Sequence, residues 1–223
     1  MISTNQHPNS YSIDSLGDKQ RIAYNVILEH YRTGVDPLRM VIQGIAGTRK
    51  SYLIGAIKNT LANLSRPGKS PLLLLAPTGV AAFNISATTV HSTLHIPIKE
   101  INPLRGPSLI NLQEELRSVK YILIDEMSFI GKNLLIRIDS GLRQAFPENA
   151  TIPFGGRSII LIDDLGQLPP IMDKPVYASK GIAKELWNTF TTVVTLDIVF
   201  RQNGKSNEQI SFRNLLMNIR FQQ

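Results

Sequence analysis

Five short runs of almost unbroken apolar residues recur along the chain: "RMVIQ", "LLLLAPTG", "YILIDE", "SIILIDD" and "TTVVTLDIV". Each is the length of a β-strand, and none alternates polar with apolar. Strands of that kind are buried on both faces, which is the habit of parallel sheets. The stretches between them are long enough for the crossovers that parallel strands require. Several carry helical periodicity: "DKQRIAYNVILEHY", "SYLIGAIKNTLANL", "KNLLIRIDSGLRQAF" and "KGIAKELWNTF". In the first of these, Ile22, Ala23, Val26, Ile27 and Tyr31 fall on one predicted face. Together these patterns predict an α/β domain with a mainly parallel sheet covered by helices on both sides.

The length of 223 residues suits one large domain or at most two small ones. A 43% hydrophobic content is enough for a sizeable core. The net charge of +7 and pI near 9.7 favour acidic partners, nucleic acid first among them, although many ordinary domains are as basic. With no cysteine, disulfides, thiolate nucleophiles and cysteine-based zinc sites are excluded. Residues 1–15 are polar and read as a flexible leader, without the apolar core of a secretory signal or the arginines of a mitochondrial one. The expected location is intracellular, the nucleus if the source is eukaryotic, with the mitochondrion left open as an alternative. The apolar runs are strand-sized, so no membrane partner is expected. "HIPIKEINPLRGPS" carries three prolines and predicts an irregular insertion at about 96–108.

Four stretches carry chemistry. "GIAGTRKS", Gly44 to Ser51, follows a strand and opens a helix. Such a turn brings backbone N–H groups and a helix N-terminus to one point, which holds a polyphosphate. Lys50 would reach the outer phosphates, and the Ser51 hydroxyl would ligate Mg²⁺. A Gly/Lys turn before a helix is the plainer alternative. "ILIDEMS" delivers Asp125 and Glu126 at a strand's C-terminal end, where ligands collect in open α/β sheets. One carboxylate could hold Mg²⁺ and the next could orient or deprotonate a water; a solvated acidic turn is the alternative. In "LIDDLGQLPP", Gln167 follows Asp163 and Asp164 and could touch a terminal phosphate and a water together. In "VFRQ", Arg201 could pair with the γ-phosphate, or be a plain surface arginine.

In this order, IQGIAGTRKS, LLAPTGVAAFNI, TVHS, LIDEMS, FGGRSIILIDDLGQLPP and LDIVFRQ, the sequence resembles the first motor lobe of the PIF-type (petite integration frequency) DNA helicases. It is also similar to Helitron helicases and bacterial exonuclease-associated relatives. The resemblance runs from about Ser15 to the C-terminus. It implies a three-layer RecA-like P-loop NTPase fold, ATP and Mg²⁺ as ligands, single-stranded DNA and single/double-strand junctions as partners, and movement 5′ to 3′. DNA repair, recombination and telomere maintenance are the roles that go with it. It also implies residue roles. Gln20 would read adenine. Gly44, Ala46, Gly47, Thr48, Arg49, Lys50 and Ser51 would form the phosphate loop. Asp125 would coordinate Mg²⁺, Glu126 would be the catalytic base, and Gln167 and Arg201 would sense the γ-phosphate. Pro77, Thr78, Gly79, Thr89, His91 and Ser92 would face the single strand, with a core or capping role for His91 left open. Phe83 would either stack on a base or sit in the core.

Three departures stand out. Arg49 replaces the loop glycine, and Asp163 stands where the family usually has glycine. The family's second RecA-like lobe, a partner in the ATP cleft, is absent from the chain as written. Two readings follow. One is an ATP-dependent helicase represented by its first lobe, and the other is a remnant that binds ATP or DNA without turnover.

Overall fold

The computed structural model describes residues 11–66, 68–96, 103–164, 166 and 169–198. Six parallel strands form its sheet: β1 (Arg39–Gly44), β2 (Leu72–Ala76), β3 (Thr88–Thr89), β4 (Tyr121–Asp125), β5 (Ser158–Asp163) and β6 (Thr192–Leu196). Their order across the sheet is β3-β2-β4-β5-β1-β6. The five runs found in the sequence are five of these strands. The sixth, β3, is two residues long and carries no apolar run, so no sequence period marks it.

Seven helices accompany the strands among the described residues: α1 (Asp18–Thr33), α2 (Lys50–Leu64), α3 (Gly79–Asn84), α4 (Val90–Thr93), α5 (Gly106–Leu116), α6 (Lys132–Ala145) and α7 (Ile182–Asn188). Alternate strand residues go to opposite faces. Met40, Ile42, Leu123, Ile160 and Ile162 pack with α1 and α2 on one side. Val41, Ile122, Ile124, Ile159 and Leu161 pack with α4 to α7 on the other. The result is the three-layer RecA-like α/β architecture. No helix of the described residues is long and apolar enough to cross a membrane.

Three expectations change. The buried side of α1 is Gln20, Ala23, Tyr24 and Ile27, whereas Ile22 is exposed. Ranking by apolarity misplaced the face by about one position. Of the residues expected to be a flexible leader, Tyr11 and Ser12 meet α2: the Tyr11 ring meets the Tyr52 ring edge-on at 5.3 Å, and Tyr52 exchanges hydrogen bonds with the Ser12 backbone. The irregular insertion is also shorter than expected, because α5 starts at Gly106 with Pro107 in its first turn, where the missing N–H costs nothing. Residues 97–102 of that insertion lie outside the described residues.

A buried polar knot sets where β5 begins. Phe154 and Gly155 both turn with positive φ, 57° and 59°. A Cβ on Gly155 would come within 2.5 Å of the Leu142 carbonyl oxygen, so the close approach requires glycine. Asp139 holds the turn by accepting from Phe154 N–H at 2.6 Å and from Arg143 Nε at 2.7 Å. The buried Arg39 guanidinium lies 5.0 Å from the Phe154 ring centroid and donates to the Pro153 and Arg157 carbonyls. Desolvation lowers the Arg39 pKa to about 10, partly offset by the charge of Asp139. Asp139→Ala strands a buried N–H beside uncompensated cations, and is expected to cost about 2–4 kcal/mol in urea unfolding. Arg143→Ala, which removes the partly exposed partner, is expected to cost about 1 kcal/mol or less.

Candidate nucleotide site

Strand β1 ends at Gly44, and the chain turns through Ile45–Arg49 into α2. A Cβ on Gly44 would come within 2.6 Å of the Thr48 hydroxyl, so the loop closes on itself only with glycine there. Gly47 takes φ 90°, and Thr48, fully buried, donates its hydroxyl hydrogen to Ile45 O at 2.8 Å. Lys50 folds over the same loop, donating from Nζ to Gly44 O at 2.7 Å and Ile45 O at 3.4 Å. These carbonyls keep the ammonium at the mouth of the loop.

Arg49 stands at φ 56°, ψ 41°, the left-handed region. This is the conformation for which glycine is the easy choice, and a side chain there stores roughly 1–2 kcal/mol. The side chain does not fill the loop. Its guanidinium lies over the Tyr52 ring, 4.1 Å from the centroid.

Gln20 is 2% exposed and lies behind the loop. Its Nε2 donates to Thr48 O at 2.9 Å and Arg49 O at 3.1 Å, while Oε1 accepts from Gly17 N–H. Both amide hydrogens are therefore spent on the phosphate loop, and only a second lone pair on Oε1 is left to meet a base. The space beside it, bounded by Gly17, Lys19, Thr48 and the end of β6, is about 10 Å³, enough for a water at most.

The acids arrive from the neighbouring strands. Asp125 ends β4 and Asp163 ends β5, and β5 lies between β4 and β1. Glu126 follows in the left-handed region at φ 54°. The loop residues Ala46 to Ser51, with Tyr52, Asn84, Asp125, Glu126 and Asp163, surround a cavity of about 380 Å³. Burial pushes the Asp125 carboxyl up to about 6; Asp163 and Glu126 add to the shift, while a backbone N–H of Glu126 and the Lys50 charge oppose it. Asp163, 1% exposed, accepts from Ser128 N–H at 3.0 Å. Asp164 instead turns back to accept from Gly166 N–H at 3.0 Å.

The Ser51 hydroxyl and the Asp125 carboxylate form a hard-oxygen donor pair suited to Mg²⁺. No cluster of three or more His, Asp or Glu able to hold a metal alone occurs among the described residues.

The residues expected to meet the single strand lie along the β2–β3 edge beside the acids. Thr78 caps α3, accepting from Ala81 N–H at 3.2 Å, and donates to Glu126 Oε2 at 3.4 Å. Pro77 precedes it and Gly79 opens α3. Thr89 caps α4 by accepting from Ser92 N–H, and Ser92 is exposed. His91 is half-buried, its pKa lowered by burial and by the Arg137 charge. Phe83 is 86% exposed, so it is not core. Gln167 and Arg201 lie outside the described residues. Sequence reasoning missed Tyr52 and Asn84 as cavity walls, and took Asp163 only as a departure. The last was legible, because Asp163 ends its strand as Asp125 ends β4.

The Asp125 shift has a stability consequence. Its folded-state pKa, about 6, lies above the ordinary 3.8. The folded form therefore binds the proton more tightly, and ionising Asp125 destabilises it progressively between those two values. Asp125→Asn is spared this. Relative to the native chain it is expected to show little difference at pH 4 and to be more stable by about 2–3 kcal/mol above pH 7 in denaturant titrations.

The sequence pattern of the "PIF1-like helicase" family matches residues 15–221. The ATP-dependent DNA helicase RRM3 of Saccharomyces cerevisiae is 32% identical over 180 residues, 78% of this chain and 24% of that protein. Unliganded Pif1 from Bacteroides sp. superimposes with a TM-score of 0.68 at 26% identity, over 92% of this chain and 45% of that one. Bacteroides Pif1 in complex with ADP-AlF3 and ssDNA gives 0.65 at 28% identity, over 92% and 46%. The chain thus spans about a quarter of the curated relative and under half of the solved chains. With the phosphate loop and the paired acids at one edge of a RecA-like sheet, and a family match over almost its whole length, the chain belongs to the PIF1-like helicase family.

Proposed function

We propose that this chain is the nucleotide-binding lobe of an ATP-dependent DNA helicase that moves 5′ to 3′ along a single strand and opens duplexes at junctions. The observation that carries the reading is one cavity walled by the phosphate loop, Lys50, Ser51, Asp125 and Glu126. The Bacteroides relative, solved with ADP-AlF3 and ssDNA, supports nucleotide and strand as joint ligands. A second RecA-like lobe would close the other side of the cleft. The direction of travel, and a role in repair, recombination or telomere maintenance, rest on the motif resemblance.

In this reading Lys50 leaves its loop carbonyls to neutralise the outer phosphates. Ser51 and Asp125 would hold Mg²⁺, which would draw charge from the phosphoryl oxygens. Water attacks the γ-phosphorus, the bond to the bridging oxygen of ADP breaks, and Glu126 takes the water's proton. Gln167 and Arg201 would meet the γ-phosphate.

The direct test is ATP binding and hydrolysis by the chain as written, with and without single-stranded DNA. The proposal expects Mg²⁺-dependent nucleotide binding by the lobe, with turnover that single-stranded DNA stimulates once a second lobe is supplied, and absence of nucleotide binding would sink it. DNA binding is expected to be weak, independent of sequence and salt-sensitive, falling by a log–log slope of about 0.7 for each phosphate neutralised. Affinity indifferent to salt would contradict that.

Arg49 favours a second reading, a lobe that binds ATP with impaired turnover. It occupies a left-handed position and adds a second cationic residue to the cavity wall. Charge attraction acts on binding, but catalysis needs the γ-phosphate placed to a fraction of an ångström. Arg49→Gly is expected to raise turnover at least about tenfold with little change in ATP affinity, measured with a second lobe restored. Unchanged turnover would mean that the variant loop works as it stands.

A further inference from the structure

Helix α3 meets the nucleotide cavity directly at its end, is tied to a cavity residue at its start, and shows Val80 and Phe83 bare to solvent. At its start, Thr78 Oγ1 donates to Glu126 Oε2 at 3.4 Å while accepting from Ala81 N–H. At its end, Asn84 lines the cavity wall. Between them Val80 and Phe83, three positions apart on one helical face, are 74% and 86% exposed. The helix is only six residues long, so its exposed face lies within two turns of both ends.

We propose that Thr78 is a positioning residue for Glu126, holding the carboxylate when no strand is bound and releasing it when a strand seats on Val80 and Phe83. The inference rests on the nucleotide and strand reading above. A carboxylate oxygen engaged by a hydroxyl has one lone pair fewer to offer a water. At 3.4 Å the bond is long and easily broken. Glu126 sits in the left-handed region at φ 54°, so its backbone is already strained and its side chain depends on neighbours for its place. Base stacking on an exposed phenylalanine is worth enough to move a short helix. By linkage, nucleotide in the cavity must then change strand affinity by the same factor as the strand changes nucleotide affinity.

The test reads that factor in binding alone. A labelled oligo-dT is titrated with the chain, with and without saturating Mg²⁺ and a non-hydrolysable ATP analogue, and the ratio of the two Kd values is taken. The native chain is expected to give a ratio of about five or more. Thr78→Val removes both the cap and the donor. Thr78→Asp keeps the cap, since aspartate is a preferred N-cap residue, but cannot donate to Glu126 and repels it. Both variants are expected to bring the ratio close to one, and Thr78→Ser is expected to restore it; loss of strand binding in Thr78→Val and Thr78→Asp with nucleotide binding intact would mean that Thr78 acts by touching the strand, and would overturn the inference. If Thr78→Val does not fold, Thr78→Asp decides. A native-like ratio in Thr78→Asp means that only the cap matters, and overturns the inference. A native ratio of one with both ligands bound also overturns it, leaving the proposed function standing. A native chain that binds neither ligand removes the proposed function and this inference with it.

Discussion

Strands β4, β5 and β1 lie side by side, run the same way and stop at the same edge. The rest of the molecule depends on that arrangement. Both faces of these strands are buried, so their middles admit apolar residues almost exclusively. Polar chemistry is confined to where the strands end. Parallel pairing then gathers the ends in space although they are far apart in sequence: Gly44, Asp125 and Asp163 are brought to one place by backbone hydrogen bonds alone. The phosphate loop and the acids need no direct contact to be held in register.

The edge is also where the fold stores unfavourable energy. Arg49 and Glu126 both take positive φ, and three carboxylates share one cavity with Lys50. Burial and like charge raise Asp125 towards neutrality. A bound cation would relieve that repulsion, so the free lobe is strained in the sense that a ligand corrects. The cost is met by the sheet and by clamps outside the cavity. Gln20 grips the loop from behind, Ser128 N–H satisfies Asp163, and the Arg39–Phe154–Asp139 knot fixes the start of β5. None of these clamps touches the cavity's centre, yet each sets the position of something that does.

The sequence announced the sheet because apolar runs are a backbone-scale signal. Five strands were readable from their composition, while β3 was not, since two threonines at an edge bury little. The face of α1 was misread for a related reason. Periodicity weighs hydrophobicity, and it preferred Ile22 to Gln20, although Gln20 is buried by hydrogen bonds to a loop 28 residues away. Long-range polar burial leaves no local trace. The loop and the two acids were legible because their chemistry needs fixed spacing. The bond between Thr78 and Glu126 was not, since it joins two stretches that the sequence presented as separate motifs with separate ligands. Whether Arg49 would sit in a glycine conformation could be asked from sequence, but only backbone angles answer it.

We propose that the C-terminal edge of this sheet is a Mg²⁺-nucleotide site with Lys50 as its principal cation. Calorimetric titration of the chain with ATP, with and without Mg²⁺, beside Lys50→Ala, is the decisive measurement. Binding is expected to depend on Mg²⁺ and to weaken at least about tenfold in the variant. Equal affinity in the native and substituted chains, or binding indifferent to the metal, would contradict it.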